Sequence, residues 1–162
     1  MKKYLIALLL CLSFASTASA EVAEELIALG NVYPGQPFSE VIQMYGQPYE
    51  SLPYSVGKMY HFFKNGTVPS FRVIATDIVN YVDVNGSDKF STPNGIKIGS
   101  TVEELRKAYG SPDKEQQFKG VSYSYYQLGS NSNPYNDLGP KCITFHVVDG
   151  KVTSIVVQYW KR

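Results

Sequence analysis

Ile96–Pro112, IKIGSTVEELRKAYGSP, decides how this chain reads, because a related stretch, Val32–Pro48 (VYPGQPFSEVIQMYGQP), lies 64 residues before it. Aligned without a gap, the two share Gly35/Gly99, Glu40/Glu104, Tyr45/Tyr109, Gly46/Gly110 and Pro48/Pro112. Average residue usage gives about one chance identity in such a window, so the agreement argues for duplication. Each copy reads as a short helix with both ends written in. Ser100 followed by Glu103 has the spacing of a capping box, and Pro37 suits a first helical position, where its missing N–H costs nothing. Val102, Leu105 and Tyr109 fall at i, i+3 and i+7, as do Phe38, Val41 and Tyr45, which gives each helix one apolar face. Gly46 and Gly110 end the helices and Pro48 and Pro112 stop them resuming. The pattern predicts helices over about 37–45 and 101–109. Helices of about ten residues are marginal alone, so both must pack on something.

Working outward, that something is sheet. Met59–Phe63, Phe71–Ala75 and Ile78–Val84 have strand composition, with the hairpin pair Asn65-Gly66 between the first two. In the second half Val121–Gln127 alternates with period two. A polar loop, Gly129–Pro140, follows it. Ile143–Val148 and Val152–Tyr159 then flank the turn Asp149-Gly150. One helix and about three strands in each half predict an α+β fold of two tandem helix-plus-antiparallel-sheet repeats, with the helices on one sheet face. The first repeat spans 21–94 and the second 95–162. With a bulge near Thr153-Ser154, alternation sends Tyr123, Tyr125, Ile143, Phe145, Val147, Ile155, Val157 and Tyr159 toward the helices. Tyr60, Phe62, Val82 and Val84 are their counterparts in the first half. His61, Phe63, Tyr126, Thr144, His146, Val156, Gln158 and Trp160 go to the opposite face, which an antiparallel sheet can leave wet.

Residues 1–20 read as a signal peptide: Lys2 and Lys3, an apolar run over Leu5–Leu12, and the small-residue site Ala18-Ser19-Ala20. The apolar run is too short to span a bilayer. Cys11 follows Leu8-Leu9-Leu10 rather than the small residue expected before a lipidated cysteine. The sequence thus predicts an exported protein, periplasmic or extracellular, cleaved after Ala20 and not lipidated. Without Lys2 and Lys3, the 15 Lys and Arg and 14 Asp and Glu balance to within one charge, which argues against nucleic acid as a partner. Cys142 is then the lone cysteine, and no internal disulfide forms.

Catalytic signals are thin. Two histidines are present, with no H-E-x-x-H, C-x-x-C, glycine-rich phosphate loop or G-x-S-x-G. Cys142 and His146, at i and i+4 on a strand, lie about 13 Å apart, too far for a nucleophile and its base. The reading is therefore a non-enzyme without catalytic residues, cofactor or metal. A metal held by His61 and His146 with Asp83 or Glu50 is a lesser alternative. Twelve of the 13 tyrosines lie beyond residue 20, and Tyr and Trp are enriched at protein interfaces. The candidate binding residues for an unidentified protein partner are His61, Phe63, Tyr126, His146, Gln158 and Trp160.

Ile96–Pro112, Ser122–Tyr126 and the hairpin Phe145–Ile155 together resemble the BamE/SmpA family of small outer-membrane assembly lipoproteins. In its duplication the chain is similar to the β-lactamase inhibitor protein, whose two helix-plus-sheet units form a concave, aromatic-lined surface. The resemblance implies an interaction module of the cell envelope or secreted space that binds through an aromatic open sheet face. An inhibitor of a secreted or periplasmic hydrolase, and a small-ligand or metal-binding protein, are the alternatives.

Overall fold

The computed structural model describes residues 22–127 and 139–159. A 3-10 turn, Glu24–Leu26, precedes α1 (Phe38–Tyr45), β1 (Glu50–Pro53), β2 (Lys58–Asn65), β3 (Val68–Ala75) and β4 (Val79–Asn85). Then come α2 (Val102–Tyr109), β5 (Lys114–Gln117), β6 (Val121–Tyr126), β7 (Lys141–Val148) and β8 (Lys151–Tyr159). All eight strands belong to one antiparallel sheet in the order β1-β2-β3-β4-β8-β7-β6-β5. This corrects the expected fold class. The protein is mostly sheet, a single eight-stranded layer with two eight-residue helices, not two tandem helix-plus-sheet repeats. The physical reason is the central seam, where β4 pairs with β8 from Tyr81↔Gln158 to Asn85↔Ser154. Helix caps and hairpin turns are local signals and carry no information about which distant strands meet.

Two strands escaped the sequence reading. β1 (ESLP) and β5 (KEQQ) are the sheet edges, four residues each and almost wholly exposed. Short polar edges, one ending in Pro53, resist pairing with another chain, and they lack the apolar alternation that reveals an inner strand.

The core lies between the sheet and the helices. Along the register, Phe71, Val84, Ile155, Phe145 and Tyr123 form one buried row. Val73, Val82, Val157, Ile143 and Tyr125 form the next. Tyr45 of α1 sits among Phe62, Phe63, Phe71 and Phe90, with ring centroids 5.2–6.2 Å away. Tyr109 of α2 meets Tyr125 at 5.3 Å and Phe145 at 5.1 Å. Both helices thus cover the same face.

The helix ends differ in detail from the expectation. The N-cap of α2 is Thr101, not Ser100: Thr101 Oγ1 accepts from Glu104 N at 3.2 Å and Thr101 N donates to Glu104 Oε2 at 2.8 Å. Pro37 is the N-cap of α1, one residue before the helix. Gly46 and Gly110 have φ of 77° and 76° with ψ of −164° and −151°. That region is essentially closed to side chains, a stricter demand for glycine than the left-handed helical conformation makes.

Candidate functional site

The sheet face turned away from the helices is the candidate surface, and the register sets out its contents. Glu50, His61, Arg72, Asp83, Val156, Thr144, Ser124 and Lys114 form one line across all eight strands. Beside it runs a second line, Leu52, Met59, Ile74, Tyr81, Gln158, Cys142 and Tyr126. A shorter third line on the far half holds Ser154, His146, Ser122 and Gln116.

Charge on this face is concentrated on β1–β4 and is internally paired. Arg72 Nε donates to Asp83 Oδ1 at 2.9 Å and to Oδ2 at 3.2 Å, and Arg72 Nη2 donates to Oδ2 as well. The pair is lopsided: the Arg72 side chain is 35% exposed and that of Asp83 only 4%. Burial pushes the Asp83 carboxyl above its usual range against the pull of Arg72, while the hydrogen bonds to Asp83 hold the guanidinium above its own. His61 Nδ1 lies 2.8 Å from Glu50 Oε2, and its buried Nε2 has no partner among the described residues.

Of the six residues expected to bind a partner, the five among the described residues do not form one patch. Phe63 is on the helix side. A bulge in β2 follows His61↔Arg72 with Phe63↔Phe71, so Phe62 is an extra residue, and Phe63 joins Tyr45, Phe71 and Phe90 in the core. His61 is on the open face but only 5% exposed. Tyr126 and Gln158 are half-buried on either side of Cys142. His146, hydrogen-bonded at Nδ1 to Ser122 Oγ at 3.1 Å, lies about 13 Å along the strand direction from Tyr126. Trp160 lies outside the described residues.

Neither metal nor thiol chemistry gathers support. His61 on β2 and His146 on β7 are separated by β3, β4 and β8, about 19 Å at the usual strand spacing. They cannot share an ion. Among the described residues no three His, Cys, Asp or Glu side chains converge as a metal site would. Cys142 is fully buried, and burial raises its thiol to about 11. That leaves it protonated and inert at neutral pH.

Sequence reasoning missed Arg72, Tyr81, Leu52 and Tyr54. The signal was present: Arg72 in FRVIA and Asp83 in NYVDV are charges at alternating positions inside apolar strands. Two such charges on adjoining strands are placed to pair, which lets the carboxylate be buried.

The fold is shared with a cysteine-rich secretory protein from Staphylococcus aureus, at a TM-score of 0.52 and 18% identity over 86% of this chain and 49% of that one. An extracellular protein containing an SCP domain from Bacillus anthracis matches at a TM-score of 0.52 and 12% identity, over 98% of this chain and 49% of that one. The chain spans about half the length of these solved structures. No family model and no curated protein matches it. These neighbours correct the resemblance to the BamE/SmpA family and to the β-lactamase inhibitor protein, together with the tandem-repeat reading attached to it. The motifs behind that resemblance are caps, turns and core positions, which recur wherever a short helix lies on a sheet. Among the described residues no helix is long and apolar enough to cross a membrane.

Proposed function

We propose that this is an exported, non-enzymatic module that binds a protein partner through the open face of its sheet. The observation that carries the reading is a line of large, partly exposed side chains on the face that carries neither helix. The 3-10 turn, α1 and α2 all pack on the other side, yet this face holds Tyr81, Tyr126, Leu52 and Gln158 along one line. Large side chains on an uncovered surface mark interaction sites in soluble proteins. Export is supported by the signal-peptide pattern of residues 1–20, and the two structural neighbours bear the descriptions secretory and extracellular. A non-enzymatic role is supported by the protonated Cys142 and by the separation of the histidines.

The test is capture from the native envelope or secreted fraction by the wild type and by two variants. Tyr126→Ala, on the open face, is expected to weaken retention by about 2 kcal/mol, measured where the urea unfolding midpoint shows the variant to be folded. Lys107→Ala, on the exposed side of α2, is expected to retain the partner fully. Loss of the partner in Lys107→Ala with retention in Tyr126→Ala would move the binding surface to the helices.

A further inference from the structure

We propose that the corner of the open face built by β1, β2, β3 and β4 seats an acidic side chain of a protein partner, its carboxylate on Arg72 and its apolar flanks on Leu52, Tyr54 and Tyr81. This rests on the reading of the open face as an interaction surface and names the chemistry of the partner.

Three observations converge on the corner. First, three exposed apolar side chains stand close together in the chain here. Leu52, Tyr54 and Val56, on and just after edge strand β1, are 43%, 47% and 44% exposed. The register continues Leu52 into half-buried Met59, buried Ile74 and half-buried Tyr81, so the exposed apolar area lies at the sheet edge with Tyr81 on its inner side. Second, the ion pair at its centre presents only its cation. Asp83 is buried and both of its oxygens are taken by Nε and Nη2. The Nη1 amino group of the half-buried Arg72 makes no hydrogen bond among the described residues. A guanidinium has donors and no acceptor. What fits its free side is therefore an acceptor, and a carboxylate gives the shortest and strongest bonds. Third, Tyr81 stands on the same face as Arg72, two residues along β4 from its partner Asp83, and Tyr54 follows Leu52 at the same edge. Arginine among tyrosines is the composition of an interface anchor.

On the other half of the face the serine hydroxyls are already partnered, Ser124 with Thr144 Oγ1 at 3.0 Å and Ser122 with His146 Nδ1 at 3.1 Å. The exposed Phe118 stands apart at the β5–β6 turn.

The experiment titrates the labelled full-length chain, expressed for export, with two blocked tripeptides, acetyl-Leu-Asp-Leu-amide and acetyl-Leu-Asn-Leu-amide, followed by nuclear magnetic resonance. The aspartyl peptide is expected to shift the Arg72 Nε–H and the amides of Leu52, Tyr54 and Tyr81. It should bind at least about tenfold more tightly than the asparaginyl peptide. Tyr54→Ala, at an exposed position that leaves the fold intact, is expected to weaken it about tenfold. Equal affinity of the two peptides would overturn the carboxylate assignment. Shifts confined to Ser122, Thr144 and His146 would overturn the corner while leaving the open face as the binding surface. An absence of shifts anywhere on the sheet would also overturn this inference, the broader reading being decided separately by the capture test.

Discussion

The two helices do the same job in opposite idioms. α2 starts with a capping box made by its own residues, Thr101 and Glu104. α1 starts at Pro37, which makes no side-chain cap; buried Gln36 instead reaches Glu40 with Nε2 to Oε2 at 3.1 Å. Each first turn also donates to a turn of the sheet, Phe38 N to Asp77 O at 2.9 Å and Val102 N to Gly150 O at 3.2 Å. Beneath them the contrast continues. α1 rests on phenylalanines, with Phe71 stacked on Phe90 at 4.3 Å. α2 rests on hydroxyl-bearing rings, whose Tyr109 and Tyr125 donate to Leu26 O and Gly110 O, both at 3.2 Å. Tyr45 likewise donates its hydroxyl to Gly30 O, so each helix tyrosine ties back to the segment before α1. The halves differ in their caps and in the rings beneath them, while the shared sheet makes them a single unit.

The strongest test of that unity is core truncation. Phe71→Ala and Phe145→Ala each remove a fully buried ring and are expected to cost about 3–5 kcal/mol. Both should unfold in one transition in urea, because the β4–β8 seam couples the halves. Two separated transitions in either variant would break the single-unit view.

Alkaline pH sharpens the contrast in polarity. Burial raises Tyr109 and Tyr125 to about 12 and Cys142 to about 11. The unfolded chain releases these protons near its ordinary values of 10.0 and 9.0, while the folded protein retains them. Stability is therefore complete below about pH 9 and falls as pH rises toward 12, by at most about 1.4 kcal/mol per pH unit for each proton retained. Tyr125→Phe, which has no such proton, is expected to show a shallower decline in unfolding midpoints measured from pH 9 to 11. An unchanged slope would remove Tyr125 from the account.

The glycines that end the helices test where the halves agree. Gly46→Val and Gly110→Val are each expected to cost about 1–3 kcal/mol, since φ and ψ there are closed to a side chain. Ser111→Val, at the exposed neighbour, should be nearly silent. Equal midpoints for Gly110→Val and Ser111→Val would mean that α2 ends elsewhere.

The smallest effect lies at the helix starts. Thr101→Ala removes the capping box and is expected to cost about 1 kcal/mol. Pro37→Ala, which removes no cap hydrogen bond, should cost less. A reversed order would show that the two starts are not held in the way described.

Much of the local structure was legible in the chain. Apolar spacing, the Asn-Gly and Asp-Gly pairs and the helix-ending glycines act over a few residues, and all lie close to where the structure places them. Asp149 and Gly150 both take positive φ, 49° and 74°, as the turn between β7 and β8 requires. The candidate surface was less legible. Alternation sends Tyr126, His146 and Gln158 to the open face, but it counts residues two by two and cannot see the extra residue Phe62 that turns Phe63 inward. Nor does alternation show that His61 is covered, or that Arg72 is partly exposed where Asp83 is buried.

By itself, then, the sequence determined the two short helices, the inner strands and their turns, because those follow from bonds between near neighbours. Only the tertiary structure decided that β4 meets β8, that the polar stretches ESLP and KEQQ become edges, and that Arg72 binds Asp83. Each joins residues distant in the chain, or depends on the position of a strand within the whole sheet. Such pairings are chosen by the summed burial of all eight strands, which no short window of sequence contains.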